Sequence, residues 1–161
     1  MGFFSRLFGS SDRKSEEAAA TKADSMPASE LGLDARTAKA VLDEIDIDNA
    51  IAAHENWKLR LQNYLNGQST EELRPEFICM DDRCDLGKWL YGPGTRQLGK
   101  YPTFSVLIAR HKFFHLQAST VVALTQANQK DEANKVLEGS YRHASTQVVL
   151  LLKELKRGLG R

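Results

Sequence analysis

The chain has 161 residues, of which 42% are hydrophobic, and this length suffices for one domain with a modest core of its own. Its 22 basic residues nearly balance its 21 acidic residues and are spread along the chain, which argues against nucleic acid as a partner. No apolar run approaches the roughly 20 residues that a membrane-spanning helix needs.

The cysteines and the first residues indicate the compartment. Cys79 and Cys84 are two thiols close together in sequence, which cannot build a disulfide framework. Residues 1–8 have neither the long apolar core nor the small-residue cleavage pattern of a secretory signal. We therefore expect a cytoplasmic protein in a reducing environment.

Residues 1–30 are predicted to be a flexible N-terminal tail. From Gly9 to about Ser29 the chain is rich in Ser, Ala, Lys and Glu and has almost no large apolar side chain to bury. Ahead of this stretch lies a Phe-rich segment, residues 3–8, whose apolar side chains would share one face of a helix. The segment is either a frayed terminus or a short anchor that makes peripheral contact with a membrane or docks a partner.

Residues 34–157 are predicted to form an all-α four-helix bundle of three long helices and one short helix. The first long helix begins near Asp34 and closes at Asn66-Gly67. No stretch alternates in the way that favours a sheet. Steps of three and four place one set of residues on a single helix face: Ile47, Ile51, His54, Trp57, Leu61, Tyr64 and Leu65.

The other helices follow Gly and Pro signals. After a mixed loop through Arg74-Pro75, a short helix over residues 85–91 is expected to end at Gly92-Pro93-Gly94. A third helix runs from Pro102 to about residue 128, and a last one covers about residues 131–157. The predicted inward residues are Phe104, Leu107, Ile108, His111, His115, Ala118 and Val122 on the third helix, and Leu137, Tyr141, Ala144, Val148, Leu151, Leu152 and Leu155 on the last.

Three of the four histidines lie on these predicted inner faces. His111 and His115 are four residues apart, so on a helix they stack one turn from each other and can share a metal ion. His54 belongs to the apolar stripe of a different helix. One buried histidine is commonly explained by a hydrogen bond to a backbone carbonyl, but three converging imidazoles are costly to bury unless something pairs them.

Cys84 completes a set of zinc donors with the three histidines. A thiolate together with imidazoles is the donor environment that zinc prefers, and this set leaves the site with a charge of about +1. Asp81 or Asp82 could cap the short helix, and a cysteine at a helix N-terminus has its thiolate favoured by the helix dipole. The sequence therefore predicts four zinc ligands: His54, Cys84, His111 and His115.

Other metal sites fail on spacing. A zinc protease helix needs Glu directly after the first histidine of its pair, where this chain has Lys112. A di-iron bundle needs Glu three residues before a ligand histidine, where Ile51, Ile108 and Lys112 stand. Four protein donors fill a tetrahedral zinc, and no nucleophile and base pair or phosphate-binding loop is evident. We therefore predict that the protein is not an enzyme.

The order of these residues resembles the chemoreceptor zinc-binding (CZB) domain family. The resemblance extends from about Asp43 to about Thr120 and is most specific in Cys84-Asp85-Leu86-Gly87-Lys88-Trp89-Leu90-Tyr91-Gly92, between His54 and His111-Lys112-Phe113-Phe114-His115. It implies a bacterial, cytoplasmic four-helix bundle that holds zinc through the same three histidines and one cysteine. It also implies a homodimer, association with chemoreceptor or diguanylate cyclase signalling, and sensing of zinc or of hypochlorous acid through the zinc-bound cysteine.

Two functions remain open at this point. We expect no output domain after the bundle, so a sensor would signal to a separate partner protein through redox-sensitive zinc coordination by Cys84, or through zinc availability. The alternative is a structural-zinc adaptor or zinc buffer that docks to a signalling partner or a membrane.

Three further side chains have two interpretations each. Trp57 and Trp89 could shield the metal from water or could be ordinary core residues. Cys79 could be a resolving thiol for Cys84, although its apolar neighbours favour a packing position. His143 is predicted to lie at the surface.

Overall fold

A computed structural model of the chain describes residues 32–160 and confirms the all-α class, since these residues contain helices and no strand. The predicted tail over residues 1–30, with its Phe-rich segment 3–8, lies outside the described residues. The helices are α1 (Ala35–Glu44), α2 (Ile47–Leu65), α3 (Pro75–Ile78), α4 (Asp85–Trp89), α5 (Thr95–Leu98), α6 (Pro102–Gln126), α7 (Lys130–Val136) and α8 (Arg142–Gly158). The segment Leu90–Gly94, which kinks at Gly92, joins α4 to α5, and the π-helical segment Leu137–Tyr141 joins α7 to α8.

The long helices α2, α6 and α8 pack against one another and enclose the core. The backbone stays helical through the π-helical segment between α7 and α8, so these elements form the single last helix that the sequence predicts. Every residue predicted to face inward on the third and last helices is buried or half-buried. The apolar periodicity therefore identified the interior correctly.

The predicted first helix is in fact two helices. Ile45 is extended, and the carboxylate of Asp46 accepts a hydrogen bond from the backbone N–H of Asn49 at 2.9 Å, which starts α2 afresh. Asp34 begins α1 in the same way. The predicted end of α2 is confirmed, because Gly67 has a φ of 72°, a left-handed conformation that favours glycine. The sequence pattern placed Asp46 on the exposed face of one long helix, but in the structure Asp46 caps the start of a second helix.

The region between α2 and α6 contains more helix than predicted. Pro75 opens the short helix α3 within what the sequence suggested was a loop. The helix that begins at Asp85 ends at Gly92-Pro93-Gly94, as predicted, because Gly92 leaves helical geometry, with φ −112° and ψ −110°. The chain kinks at Gly92 and then continues into α5. Pro93 follows the kink, where its missing N–H disrupts less.

No helix within residues 32–160 combines the length and the apolar character needed to cross a membrane.

Candidate metal centre

The structure brings together all four residues that the sequence predicts as zinc ligands. His54 lies on α2, His111 and His115 lie one turn apart on α6, and Cys84 immediately precedes α4. One potential ligand atom from each of them lies within 4.8 Å of all the others. The three imidazoles are buried and the cysteine is half-buried.

The spacing of these atoms suits one tetrahedral zinc ion. Zinc bonds of about 2.0 Å to nitrogen and 2.3 Å to sulfur place neighbouring donors roughly 3.3 to 3.6 Å apart. The Sγ atom of Cys84 is 3.3 Å from Nε2 of His111, and the Nε2 atoms of His111 and His115 are 3.1 Å apart. These two distances are close to those of a tetrahedral site, and the other donor pairs are at most 4.8 Å apart.

The outer ring nitrogens orient two of the imidazoles. Nδ1 of His54 is 2.7 Å from the Ala50 carbonyl oxygen, and Nδ1 of His115 is 2.8 Å from that of Ile78. A carbonyl only accepts, so both Nδ1 atoms carry the proton and both Nε2 atoms present a lone pair to the cluster. Nε2 of His54 is buried without a hydrogen-bond partner, which a zinc ion would remedy.

The third imidazole has a carboxylate behind it. Nδ1 of His111 is buried without a hydrogen bond and lies 3.7 Å from Oδ2 of Asp81. The same Oδ2 accepts a 2.5 Å hydrogen bond from the Tyr91 hydroxyl. Sequence reasoning missed this role because only the folded loop brings position 81 behind α6.

The predicted cap of the short helix is wrong. Neither Asp81 nor Asp82 caps α4; the Sγ atom of Cys84 accepts the hydrogen bond from the backbone N–H of Gly87 at 3.3 Å. An Asp81 side chain beside Tyr91 and His111 cannot also reach the start of α4. Gly87 permits the close packing of this loop on α4, since a β-carbon at position 87 would overlap the Asp81 carbonyl oxygen.

Burial sets the protonation of the donors. Loss of hydration lowers the pKa of His54 to about 4 and that of His111 to about 2, with repulsion among the imidazoles as a smaller cause. Burial also lowers the pKa of His115 and raises that of the Cys84 thiol. The imidazoles are thus already in the neutral form that binds metal, whereas coordination to a cation would remove the thiol proton.

Cys84 is the part of the cluster that solvent reaches most easily. It lines an open cavity of about 670 Å³ together with His54 and Trp89. It also lines a second cavity, of about 360 Å³, on the side of His115 and Trp57. Cys84 therefore lies between two surface cavities.

The other side chains that the sequence analysis considered differ in their burial. Trp89 is buried edge-to-face on Phe104, whereas Trp57 is half-buried beneath the guanidinium of Arg60, 3.9 Å from its ring centroid. Cys79 is exposed, so its interpretation as an apolar packing position is wrong. His143 is exposed, as predicted.

Comparison with protein families gives one match. Residues 54–122 match the family described as the chemoreceptor zinc-binding domain, and this stretch begins at His54 and includes the other three residues of the cluster. The match covers somewhat less than half of the chain. No curated protein and no solved structure gives a significant match.

Proposed function

We propose that this protein is a regulatory sensor with His54, Cys84, His111 and His115 as its zinc ligands, because residues 54–122 match the chemoreceptor zinc-binding domain family. The observation that carries the proposal is the exposure pattern of the cluster. Three nitrogen donors are buried, and the sulfur donor is half-buried beside two open cavities. The signal enters at Cys84.

The oxidant that fits this arrangement is small, such as hypochlorous acid. The Cys84 thiolate attacks the chlorine of hypochlorous acid, so that an S–Cl bond forms, the Cl–O bond breaks and hydroxide leaves. Water then displaces chloride from sulfur and loses a proton, which leaves a sulfenic acid and a sulfur atom oxidised by two electrons. A sulfenic acid is a poorer zinc donor than a thiolate. The three imidazoles would then hold zinc more weakly, and the segment that carries Cys84 would detach from α6.

The redox test uses the zinc-loaded full chain with Cys79→Ser, so that Cys84 is the single remaining thiol. Hypochlorous acid below one equivalent is expected to add one oxygen to Cys84, seen by peptide mass, and to release zinc in proportion. Exposed Met80 reports unselective damage in the same digest. Oxidation of Met80 before any change at Cys84 or in bound zinc would overturn the redox proposal.

The ligand set has its own test. Cys84→Ala and His111→Ala are expected to lose stoichiometric zinc, measured as metal content after gel filtration. Cys79→Ala and His143→Ala remove the same residue types from exposed positions and should keep one zinc per chain. Full zinc retention in both ligand variants would refute the assignment.

The second candidate function is a structural-zinc adaptor or zinc buffer. It is favoured by the burial of the three imidazoles, which suits a closed structural site. Zinc affinity and oxidant sensitivity separate the two functions. Very tight zinc that hypochlorous acid does not release supports the adaptor, whereas release at low oxidant supports the sensor.

We further propose a non-enzymatic, cytoplasmic homodimer that passes its signal to a separate protein of a chemoreceptor or diguanylate cyclase pathway. Exposed apolar side chains on α2, α6 and α8 offer surface for such contacts: Leu59, Val106, Leu116 and Leu150. Light scattering on the zinc-loaded chain should give twice the mass of 18.0 kDa. A monomer at micromolar concentration would contradict the dimer.

A further inference from the structure

Among the three imidazoles of the cluster, His111 alone lacks a backbone acceptor for its outer nitrogen. His54 and His115 each face a carbonyl oxygen at hydrogen-bond distance, whereas Nδ1 of His111 is buried and faces the Asp81 carboxylate at 3.7 Å. When Nε2 of His111 binds a metal, its proton must be on Nδ1. A buried N–H without an acceptor is costly, and Asp81 is the group in position to accept it.

The charge of the site points to the same residue. A zinc ion with one thiolate and three neutral imidazoles carries a charge of about +1, in surroundings where His111 is 0% exposed. Asp81 is 9% exposed, so its carboxylate is itself almost out of water. Placing this negative charge behind His111 brings the buried group to neutrality, which neither carbonyl can do.

Asp81 is held from two sides. The Tyr91 hydroxyl donates to Oδ2 at 2.5 Å, the length of a strong hydrogen bond to a charged acceptor. The backbone of Asp81 packs on Gly87, where no side chain fits between them. Tyr91 itself is 45% exposed, so the chain of contacts runs from the metal cluster to the surface.

We propose that Asp81 is a positioning residue of the zinc site, which is itself oriented by Tyr91 and which, in the zinc-bound protein, closes the 3.7 Å gap to His111 and accepts a hydrogen bond from its Nδ1–H. This inference rests on the proposed zinc ligands. The carboxylate fixes the ring of His111 and makes Nε2 a stronger donor, as groups behind a metal ligand do elsewhere. Loss of such a group costs about 10-fold to 100-fold in metal affinity.

The test compares the zinc affinities of Asp81→Asn, Tyr91→Phe and Asp82→Asn by competition with a chelator. Asp82 is the matched control, because it is the neighbouring carboxylate but is exposed. We expect Asp81→Asn to bind zinc about 10-fold to 100-fold more weakly, Tyr91→Phe to lose less, and Asp82→Asn to stay within about twofold of wild type. Tyr91→Phe keeps the test decisive if Asp81→Asn fails to fold.

A spectroscopic readout separates positioning from a general loss of structure. In the zinc-loaded protein labelled with ¹⁵N, the Nδ1–H proton of His111 should be protected from exchange, and Asp81→Asn should shift its resonance while Asp82→Asn should not. Wild-type affinity and an unchanged resonance in Asp81→Asn would overturn the inference. Zinc retained by His111→Ala would instead overturn the proposed ligands, so the two failures are distinguishable.

Discussion

Replacing Gly87 with alanine tests the packing that places Cys84. In an ordinary helix this change stabilises, because glycine costs up to about 1 kcal/mol relative to alanine. Here the new β-carbon would overlap the Asp81 carbonyl oxygen and lie 2.8 Å from the carbonyl carbon and 3.0 Å from Cα of Asp82. All three are backbone atoms, so the loop must move as a whole. Overpacking of this kind costs about 1 to 3 kcal/mol, which reverses the usual sign.

We expect Gly87→Ala to lower the free energy of unfolding of the zinc-free protein by about 2 kcal/mol and the melting temperature by about 4 to 8 °C. Zinc affinity should fall too, because the displaced loop carries Cys84. Urea and thermal unfolding measure the first effect, and chelator competition measures the second. Gly139→Ala is the control, since a β-carbon there meets nothing within 4 Å. A Gly87→Ala protein as stable as Gly139→Ala, with wild-type zinc affinity, would refute the reasoning.

Three other changes probe the bundle. Phe114→Ala should lower the free energy of unfolding by about 3 to 5 kcal/mol, because this ring is 0% exposed. Leu116 is 50% exposed, so Leu116→Ala should change the free energy of unfolding little. Equal urea midpoints for the two variants would contradict this prediction. Asp46→Ala removes the side-chain acceptor for the Asn49 N–H and should lower the free energy of unfolding by about 1 kcal/mol. An unchanged midpoint in chemical denaturation would contradict this expectation. Burial lowers the pKa of His54 from 6.5 to about 4. As the pH falls between these two values, His54 is protonated in the unfolded chain but not in the folded chain, and this difference favours unfolding. Zinc-free protein should therefore be less stable near pH 5 than near pH 7, and a flat profile of urea midpoints would exclude this effect.

Helical periodicity predicted the interior because burial repeats every turn along α6 and α8. It could not separate α1 from α2, because an exposed aspartate gives the same polar signal in the sequence pattern whether it lies on a helix surface or caps a helix. The cap at Asp46 depends on Ile45 being extended, and local sequence does not show that conformation. By contrast, Gly92-Pro93-Gly94 was correctly identified as the end of a helix, although the short helix α5 that follows it was not predicted.

The cluster itself was predictable because its donors are rare residue types at diagnostic spacing. His111 and His115 stand one helical turn apart, and Cys84 opens a motif of its own. No sequence signal identifies Asp81, because aspartate is common and its role depends on the loop that brings its carboxylate close to His111 on α6. Cys79 was misjudged because its apolar neighbours suggested burial, while the end of α3 turns its side chain outward.

The four proposed ligands are held by parts of the fold that differ in their own stability. The three imidazoles stand on α2 and α6, helices of 19 and 25 residues that are packed into the core. Cys84 lies between α3 and α4, helices of four and five residues, far too short to persist without tertiary contacts. Loss of the sulfur donor would therefore leave the bundle folded and loosen the segment from α3 to α4 first. Phe77 and Met80 are exposed on that segment, so its release would change a surface that a partner protein can contact without any rearrangement of the long helices.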